Sequence, residues 1–455
     1  MTSDTPSNTE LRSCSPVVPV SGWGRFPVSE AHLCAGERLE QVARHTVLSR
    51  GLGRAYGDAA LPATPGEALT STLFADRLLS FDPESGILRA EAGCPLWRII
   101  EVFLPRGWFP PVTPGTKFVT LGGMVAADVH GKMHHSQGTF GRHVVSILLQ
   151  VADGRVIECS PEHEAELFDA TLGGMGLTGH ILEVAFRMHK VPSPWIVEQT
   201  ETFADIPSLL AALRDAGEKW PFTVAWADLL NPPPHFGRSA LMKGRWAEPH
   251  EAPSHPPKPK RTVRVPALFP SWFLQTWMVR YFNRLYLYRA RRNQKPRIVH
   301  PESFFYPLDA LLDWNRLYGP RGFTQYQCVL PAEDGFERHI RFVHRLRELA
   351  APVFLAVIKD CGAEGRGLLS FPRPGISYAL DMPMMARTQA IVDALNEFVI
   401  AAGGRVYLAK DALTRPEHFR LMEPRLQRFL AVRDRWDPQH RLHSALAARL
   451  FGDRR

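Results

Sequence analysis

The sequence predicts an α+β chain built from two unlike parts, and three observations carry that reading. Up to about residue 190, short strands and helices alternate with glycine-rich loops. At Val191-Pro192-Ser193-Pro194 the texture changes, which marks a boundary. From Phe323 onward, apolar periods of two and of 3.6 succeed one another in the order β-α-β-β-α-β, the pattern of a ferredoxin-like antiparallel layer.

Each element has a local reason. Ile87, Arg89 and Glu91 alternate against Leu88, Ala90 and Ala92 in a strand over 86–92. Pro95 opens a short helix carrying Ile99, Ile100 and Phe103, which stops at Gly107. Residues 144–151 read as a buried strand ending in the turn Ala152-Asp153-Gly154. Ser160-Pro161-Glu162 looks like an N-cap with proline in the first turn, so a helix is expected from there to Gly173-Gly174. A strand follows over 181–188. Further on, a helix near 207–216 and strands near Trp226 and Leu241 extend the second sheet. Strands are then expected over 323–330, 352–359, 376–382 and 405–409, with helices over about 334–350 and 386–402. Those two helices show apolar stripes such as Phe336, Ile340, Val343, Leu346 and Ile391, Leu395, Phe398.

Composition narrows the function classes. With 455 residues there is room for two or three domains. A net charge of +8 admits acidic ligands, anionic lipid or nucleic acid as partners. The six cysteines are scattered without paired spacing, which argues against a disulfide framework and for a reducing compartment. The first 19 residues are polar and read as a disordered lead without a secretory pattern. No apolar run approaches the ~18 residues of a membrane span, so the expectation is a cytoplasmic protein.

The richest stretch is 111–143, PVTPGTKFVTLGGMVAADVHGKMHHSQGTFGRH. Gly122-Gly123 lets a backbone approach a ligand closely, because no Cβ intervenes. His130, Lys132, His134 and His135 then crowd into six residues. A metal site is one reading, but no Cys-x-x-Cys or His-Glu-x-x-His supports it. A solvated polar loop is another. The pattern points best to a phosphate-bearing cofactor on glycine amides, with polar side chains facing its reactive ring. A second glycine loop, RGLGRAYGD at 50–58, nearly spells G-x-G-x-x-G. Prolines follow it instead of a helix, so the nicotinamide reading fails while a pyrophosphate cradle remains possible in chemistry.

Residues 248–300 stand apart. A Pro/Lys stretch precedes LFPSWFLQTWMVRYFNRLYLYRARRNQK, which interleaves aromatics with arginines. This is either a core helix with a solvated basic end or a surface for anionic phospholipid or a lipid-linked substrate. Nucleic acid is disfavoured, since no recognised module surrounds it.

Together, RGLGRAYGD (50–58), PGTKFVTLGGMVAADVHGKMHHSQGTFG (114–141), ATLGGMGLTG (170–179), DWNRLYGPRGFTQYQ (313–327) and YLAKD (407–411) resemble the decaprenylphosphoryl-β-D-ribose 2′-oxidase family. That family is a flavin branch of the vanillyl-alcohol-oxidase-like FAD oxidoreductases. The resemblance implies a two-domain FAD-binding fold interrupted by a substrate domain. It would divide the chain into an FAD part at 20–193, a substrate part at 194–404 and a return to the FAD part at 405–455. It also implies oxidation of a polyprenyl-phosphoryl ribose to its 2′-keto form, and an NAD(P)H-dependent keto-sugar reductase as partner.

By the same resemblance, FAD contacts fall to Arg50, Gly51, Leu52, Gly53, Arg54, Ala55, Tyr56, Gly57 and Asp58 in the first loop. Gly115, Thr120, Leu121, Gly122, Gly123, Ala127, Asp128, Val129 and His130 follow in the second, with Ile181 and Tyr407 beyond. Arg54 stands where covalent relatives carry a flavin-linked histidine, so FAD is expected to be dissociable. Lys410 matches the essential lysine. As a buried amine it is a candidate proton acceptor for an alcohol, with His130 beside it. Lys132, Trp226, Gln325, Gln327, Lys359 and Ser377 would line the substrate pocket. Ala379 replaces the family's pocket cysteine, and Ser377 and Phe305 replace its usual Asn and Tyr.

Overall fold

The structure is a computed structural model that describes residues 14–258, 260–266, 274–333 and 335–453. Three sheets carry it. The first comprises β1 (Val18–Ser21), β2 (Val28–Ala35), β3 (Leu48–Arg50) and β4 (Glu67–Ser71), in the order β1-β2-β4-β3. Its last three strands run parallel, and α1 (Leu39–Ala43) follows β2. Here the sequence reading is corrected twice. The polar lead gives way to structure by Cys14, and Cys14 is disulfide-bonded to Cys34 across 20 residues. A bridge to β2 brings the two together, a pairing that spacing alone does not reveal. The cysteine argument for a reducing compartment therefore falls; residues 1–13 of the predicted lead lie outside the described residues.

The second sheet is wholly antiparallel. It holds β5 (Leu78–Asp82), β6 (Ile87–Glu91), β8 (Val144–Gln150), β9 (Val156–Cys159) and β10 (His180–Arg187), in the order β5-β6-β10-β8-β9. A two-strand pair, β7 (Trp108–Phe109) with β11 (His189–Lys190), borders it. Helices α2 (Leu96–Phe103) and α3 (Leu121–Ala126) share its core through Ile99, Phe103, Leu121 and Met124. The short α4 (His134–Gln137) follows. The next helix, α5 (Ala165–Thr171), begins after Glu164 and not at Pro161. The Ser160 hydroxyl does accept N–H groups, from Glu162 and His163, but in a free-standing turn.

The third sheet has eight strands and is antiparallel throughout. Its first half comes from β12 (Ile196–Phe203), α6 (Ile206–Lys219), β13 (Phe222–Ala227), β14 (Ser239–Trp246), α7 (Thr276–Arg292) and β16 (Arg297–Val299). Its second half comes from β18 (Phe323–Leu330), α9 (Glu337–Glu348), β19 (Leu355–Cys361), β20 (Gly375–Pro383), α10 (Thr388–Ala401) and β21 (Arg405–Val406). A parallel two-residue pair, β15 (Val263–Arg264) with β17 (Leu311–Leu312), and α8 (Pro301–Phe305) lie between them in sequence. The strand order β16-β12-β14-β13-β19-β20-β18-β21 places the two halves edge to edge, and the second half keeps the expected β-α-β-β-α-β succession.

Alternation along the strands separates the two faces of this sheet. Ala225, Leu241, Ile358, Tyr326, Cys328 and Tyr378 join the core under α6, α9 and α10. Trp226, Ala240, Gln325, Gln327, Lys359 and Ser377, one residue out of phase, occupy the opposite face. Helix α7 packs on that opposite face, over Trp226 and Ala240 through Leu287. Helices α11 (Pro416–Met422), α12 (Leu426–Trp436) and α13 (Ala445–Leu450) end the fold. They turn back to the N-terminal sheets: Arg449 pairs with Asp58 and His443 with Glu67. Residues 268–273 of the basic-aromatic segment lie outside the described residues. Among the described residues no helix is long and apolar enough to cross a membrane.

Candidate active site

The glycine loop after β3 is held from behind. The Arg50 guanidinium donates to Ala60 C=O at 3.0 Å and to Ser21 C=O at 2.6 Å. Asp58 is buried and clasped by Arg449 through two bonds of 2.8 Å. Among the described residues, only one amide from Gly51 to Gly57 donates to a protein acceptor, Tyr56 N–H to Ala409 C=O at 2.8 Å. Gly53 adopts φ +64°, and a Cβ on Gly51 or Gly57 would strike Thr120 or Asp411. The result is a run of spare N–H donors on a tightly packed backbone, suited to pyrophosphate oxygens. Arg54 lies over Trp23 with its guanidinium carbon 3.8 Å from the ring centroid, and its Nε is buried without a partner. Two residues assigned to FAD, Arg50 and Asp58, therefore have side chains spent on the loop itself.

The second loop approaches from the other side. Thr120 caps α3 by accepting the Gly123 N–H at 3.3 Å. Gly122 packs against Ala92 so closely that a Cβ would clash, whereas a Cβ on Gly115 would meet no protein atom. Leu121 and Val129 are buried core residues, and Ile181 sits on β10 beside Leu149. Ala127 offers its carbonyl to the Tyr407 hydroxyl at 2.8 Å. Asp128, at φ +38°, is fully buried and accepts from Gly141 N–H and the Ser370 hydroxyl, so its carboxylate serves the turn.

The three imidazoles part company. His134 accepts Gly362 N–H at Nδ1, and His135 bonds Trp220 C=O, so both fasten α4 to the third sheet. His130 alone turns into the site. Its Nε2 accepts from the Gln327 amide at 2.9 Å, which leaves the hydrogen on Nδ1. That Nδ1 is buried with no protein partner. Burial first, and the positive charges of Lys359, His134 and Lys410 after it, hold the ring well below the usual imidazole range. It is neutral at physiological pH.

The face of the third sheet supplies the remainder. Gln327 also donates to Ser377 at 3.2 Å, and Lys359 is the cross-strand partner of Ser377. Ala379 stands opposite Gln327. The predicted strand to Ala409 ends at Val406, and Lys410 sits on the turn that follows, its N–H bonded to Tyr407 C=O. This turn aims the Lys410 ammonium at the Tyr56 ring, 3.5 Å from its centroid. Burial lowers the Lys410 pKa to about 7; Asp381 works against that shift and Lys359 with it. Lys132 is likewise brought to about 7 by burial and by Lys359, and it donates to Phe305 C=O at 2.9 Å. Trp226 is on the same face, yet α7 covers it, with Tyr286 4.8 Å away ring to ring.

One acidic group here was not anticipated. Asp381, on β20, is wholly buried and accepts the Gln325 amide at 2.5 Å. The signal was present: a period of two from Ser377 and Ala379 puts Asp381 on the site face. Tyr318, 3.5 Å from its carboxylate, was missed as well.

Comparisons with known proteins agree with this geometry. A family model described as an FAD binding domain matches residues 25–160. Decaprenylphosphoryl-beta-D-ribose oxidase of Mycolicibacterium smegmatis is 32% identical over 449 residues, covering 94% of this chain and 96% of that protein. An uncharacterized protein of Streptomyces coelicolor is 33% identical, over 78% of this chain and 99% of its own. L-Gulonolactone oxidase of Bos taurus is 24% identical over 83% of each. With spare loop amides, a buried neutral imidazole and a buried amine of lowered pKa, and with this degree of identity, the chain belongs to the decaprenylphosphoryl-β-D-ribose oxidase family of FAD-dependent oxidoreductases.

Proposed function

We infer that the protein oxidises the 2′-hydroxyl of a polyprenyl-phosphoryl-β-D-ribose to the 2′-keto sugar, the first half of an epimerisation to the arabinose donor. The observation that carries this reading is Lys410: an amine enclosed against Tyr56, near-neutral, and set between the glycine loop and the polar face of the sheet. FAD, when bound, supplies the acceptor for the hydride. The spare amides of 51–57 would hold its pyrophosphate, and the loop of Thr120–Gly123 with Ala127–His130 and Tyr407 would frame its ring. Arg54, stacked on Trp23, leaves no histidine at that position for a covalent link, so denaturation should release free flavin.

The chain's own residues then divide the remaining work. Lys410, in its neutral form, accepts the hydroxyl proton at Nζ. The His130 Nδ1–H and the amides of Gln325 and Gln327 orient the sugar, with Ser377 beside them. Lys359 and Lys132 favour the anionic phosphate. Two-domain division at 20–193, 194–404 and 405–455 belongs to this proposal; the Arg449–Asp58 and His443–Glu67 pairs support the C-terminal return. A separate NAD(P)H-dependent reductase would complete the inversion. Helix α7 exposes Trp277, Tyr281, Phe282 and Tyr288 among five arginines and no acid, which supports peripheral contact with anionic lipid.

The test is anaerobic flavin bleaching by polyprenyl-phosphoryl ribose. Wild type should bleach rapidly, with a rate that rises with pH through about 7 as Lys410 loses its proton. Lys410→Ala should slow bleaching by roughly 10²–10⁴-fold. A wild type that holds FAD but never bleaches would move the substrate to another polyol or a sugar lactone, such as the names of more distant relatives suggest.

A further inference from the structure

The loop between β19 and β20 leaves the third sheet and comes down on the segment that follows Gly122-Gly123, where it is pinned near both ends. At its start, Gly362 N–H donates to His134 Nδ1 at 3.0 Å. Towards its end, the Ser370 hydroxyl donates to the Asp128 carboxylate. Between them, Leu368 N–H donates to Asp169 C=O at 2.9 Å, and Arg366 pairs with the Asp169 carboxylate. Two guanidiniums donate to the Ser370 carbonyl, Arg425 at 2.8 Å and Arg405 at 3.2 Å. Loops that only connect strands run over the surface with few such ties.

Asp128 is the tightest point of this contact. It is 0% exposed and takes φ +38°, a conformation that a residue other than glycine keeps only where its surroundings impose it. Here they do. Gly141 N–H donates to its Oδ1 at 2.8 Å, and a Cβ on either Gly141 or Gly365 would stand 2.7 Å from one of the carboxylate oxygens. Two residues on from Asp128 is His130. On the loop, Phe371 directly follows Ser370, and its ring centroid lies 5.3 Å from that of His130 and 4.9 Å from that of Tyr407. Tyr407 is in turn 5.0 Å from His130. Gln327 holds the imidazole at Nε2, and the two aromatic rings confine its plane.

We propose that this loop is a brace that aims the His130 ring, with Asp128, Ser370 and Phe371 as positioning residues for its Nδ1–H. The proposal rests on the reading of His130 as a group that orients the sugar. The left-handed turn at Asp128 brings His130 round, and the Ser370 hydroxyl locks that turn to the residue next to Phe371. Without the hydroxyl, turn and ring relax independently, and the Nδ1–H loses its aim while the glycine-loop amides keep theirs. A misplacement of about 1 Å can cost about 100-fold in rate, so the loss of one supporting hydroxyl is felt in the chemistry.

The experiment is a double-mutant cycle on the FAD holoenzyme, read as the limiting rate of anaerobic flavin reduction by polyprenyl-phosphoryl ribose, with bound FAD measured in each variant. Ser370→Ala leaves the backbone bonds of the loop in place. It should lower the limiting rate by about tenfold with FAD retained, and by less than about twofold when His130→Ala is already present. Asp128→Asn keeps an acceptor for Gly141 N–H and tolerates the left-handed turn, so it should stay within about threefold of wild type. Asp128→Ala should lose at least as much as Ser370→Ala; if it does not fold, the Ser370 cycle decides alone. Equal losses from Ser370→Ala on both backgrounds, a wild-type rate in Ser370→Ala, or a loss that only tracks missing FAD each overturn the proposal. A wild-type rate in His130→Ala itself overturns the reading of His130, and the brace with it.

Discussion

The two halves of the eight-stranded sheet have the same strand order when each is counted inward from its own edge, yet they use their helices differently. In the second half, α9 and α10 both cover the face away from the site, and the other face is left to Gln325, Gln327, Lys359, Ser377 and Asp381. In the first half, α6 takes that same covered face, but α7 crosses to the site face and roofs Trp226 and Ala240. Helix α10 buries Ile391, Val392, Leu395 and Val399. Helix α7 buries only Val279, Asn283 and Leu287 and leaves Trp277 67% exposed. Strand order follows from backbone pairing, whereas the side a helix takes follows from its apolar stripe. One topology thus serves a polar floor in one half and an aromatic-basic roof in the other.

This contrast can be broken by substitution. Leu395→Ala, in the packed α10, should cost about 2–5 kcal/mol in urea unfolding, through lost burial and the cavity left behind. Leu287→Ala in α7 should cost clearly less, because fewer neighbours close around it; equal costs would erase the distinction between the two helices. Replacing Trp277, Tyr281, Phe282 and Tyr288 together by Ser should lower sedimentation with phosphatidylglycerol vesicles by about tenfold or more at low salt. Each change should alter stability by only about 0.5 kcal/mol, as exposed positions do. Unaltered vesicle binding would leave the roof without a lipid role. The smallest effect is expected on the polar floor. Ala379→Cys introduces a thiol there and should leave turnover within about twofold. Intact mass should then show an adduct with thiol-bonding inhibitors of the family in Ala379→Cys and none in wild type.

Much of this architecture was legible residue by residue. The strand over Phe323–Leu330 and the helices near 337–348 and 388–401 fall where their periods placed them. The meeting of His130 with Gln327 was implied by motifs nearly 200 residues apart. What escaped depended on distant partners. Cys14 and Cys34 pair because β2 passes beside the N-terminal segment. Ser160 caps a turn and no helix, since its local chemistry serves both equally. Asp381 reads as an ordinary acid in an apolar strand until Gln325 is placed across from it and Tyr318 beside it.

The clasp between Asp58 and Arg449 spans 391 positions, joining the first glycine loop to one of the last helices. During synthesis, that loop emerges from the ribosome long before the arginine that secures it. Its spare amides take up their final form only once α13 has been made and has docked. The loop that cradles the cofactor is thus completed from the far side of the chain, and loss of α13 would be felt at the flavin, not only where the cut was made.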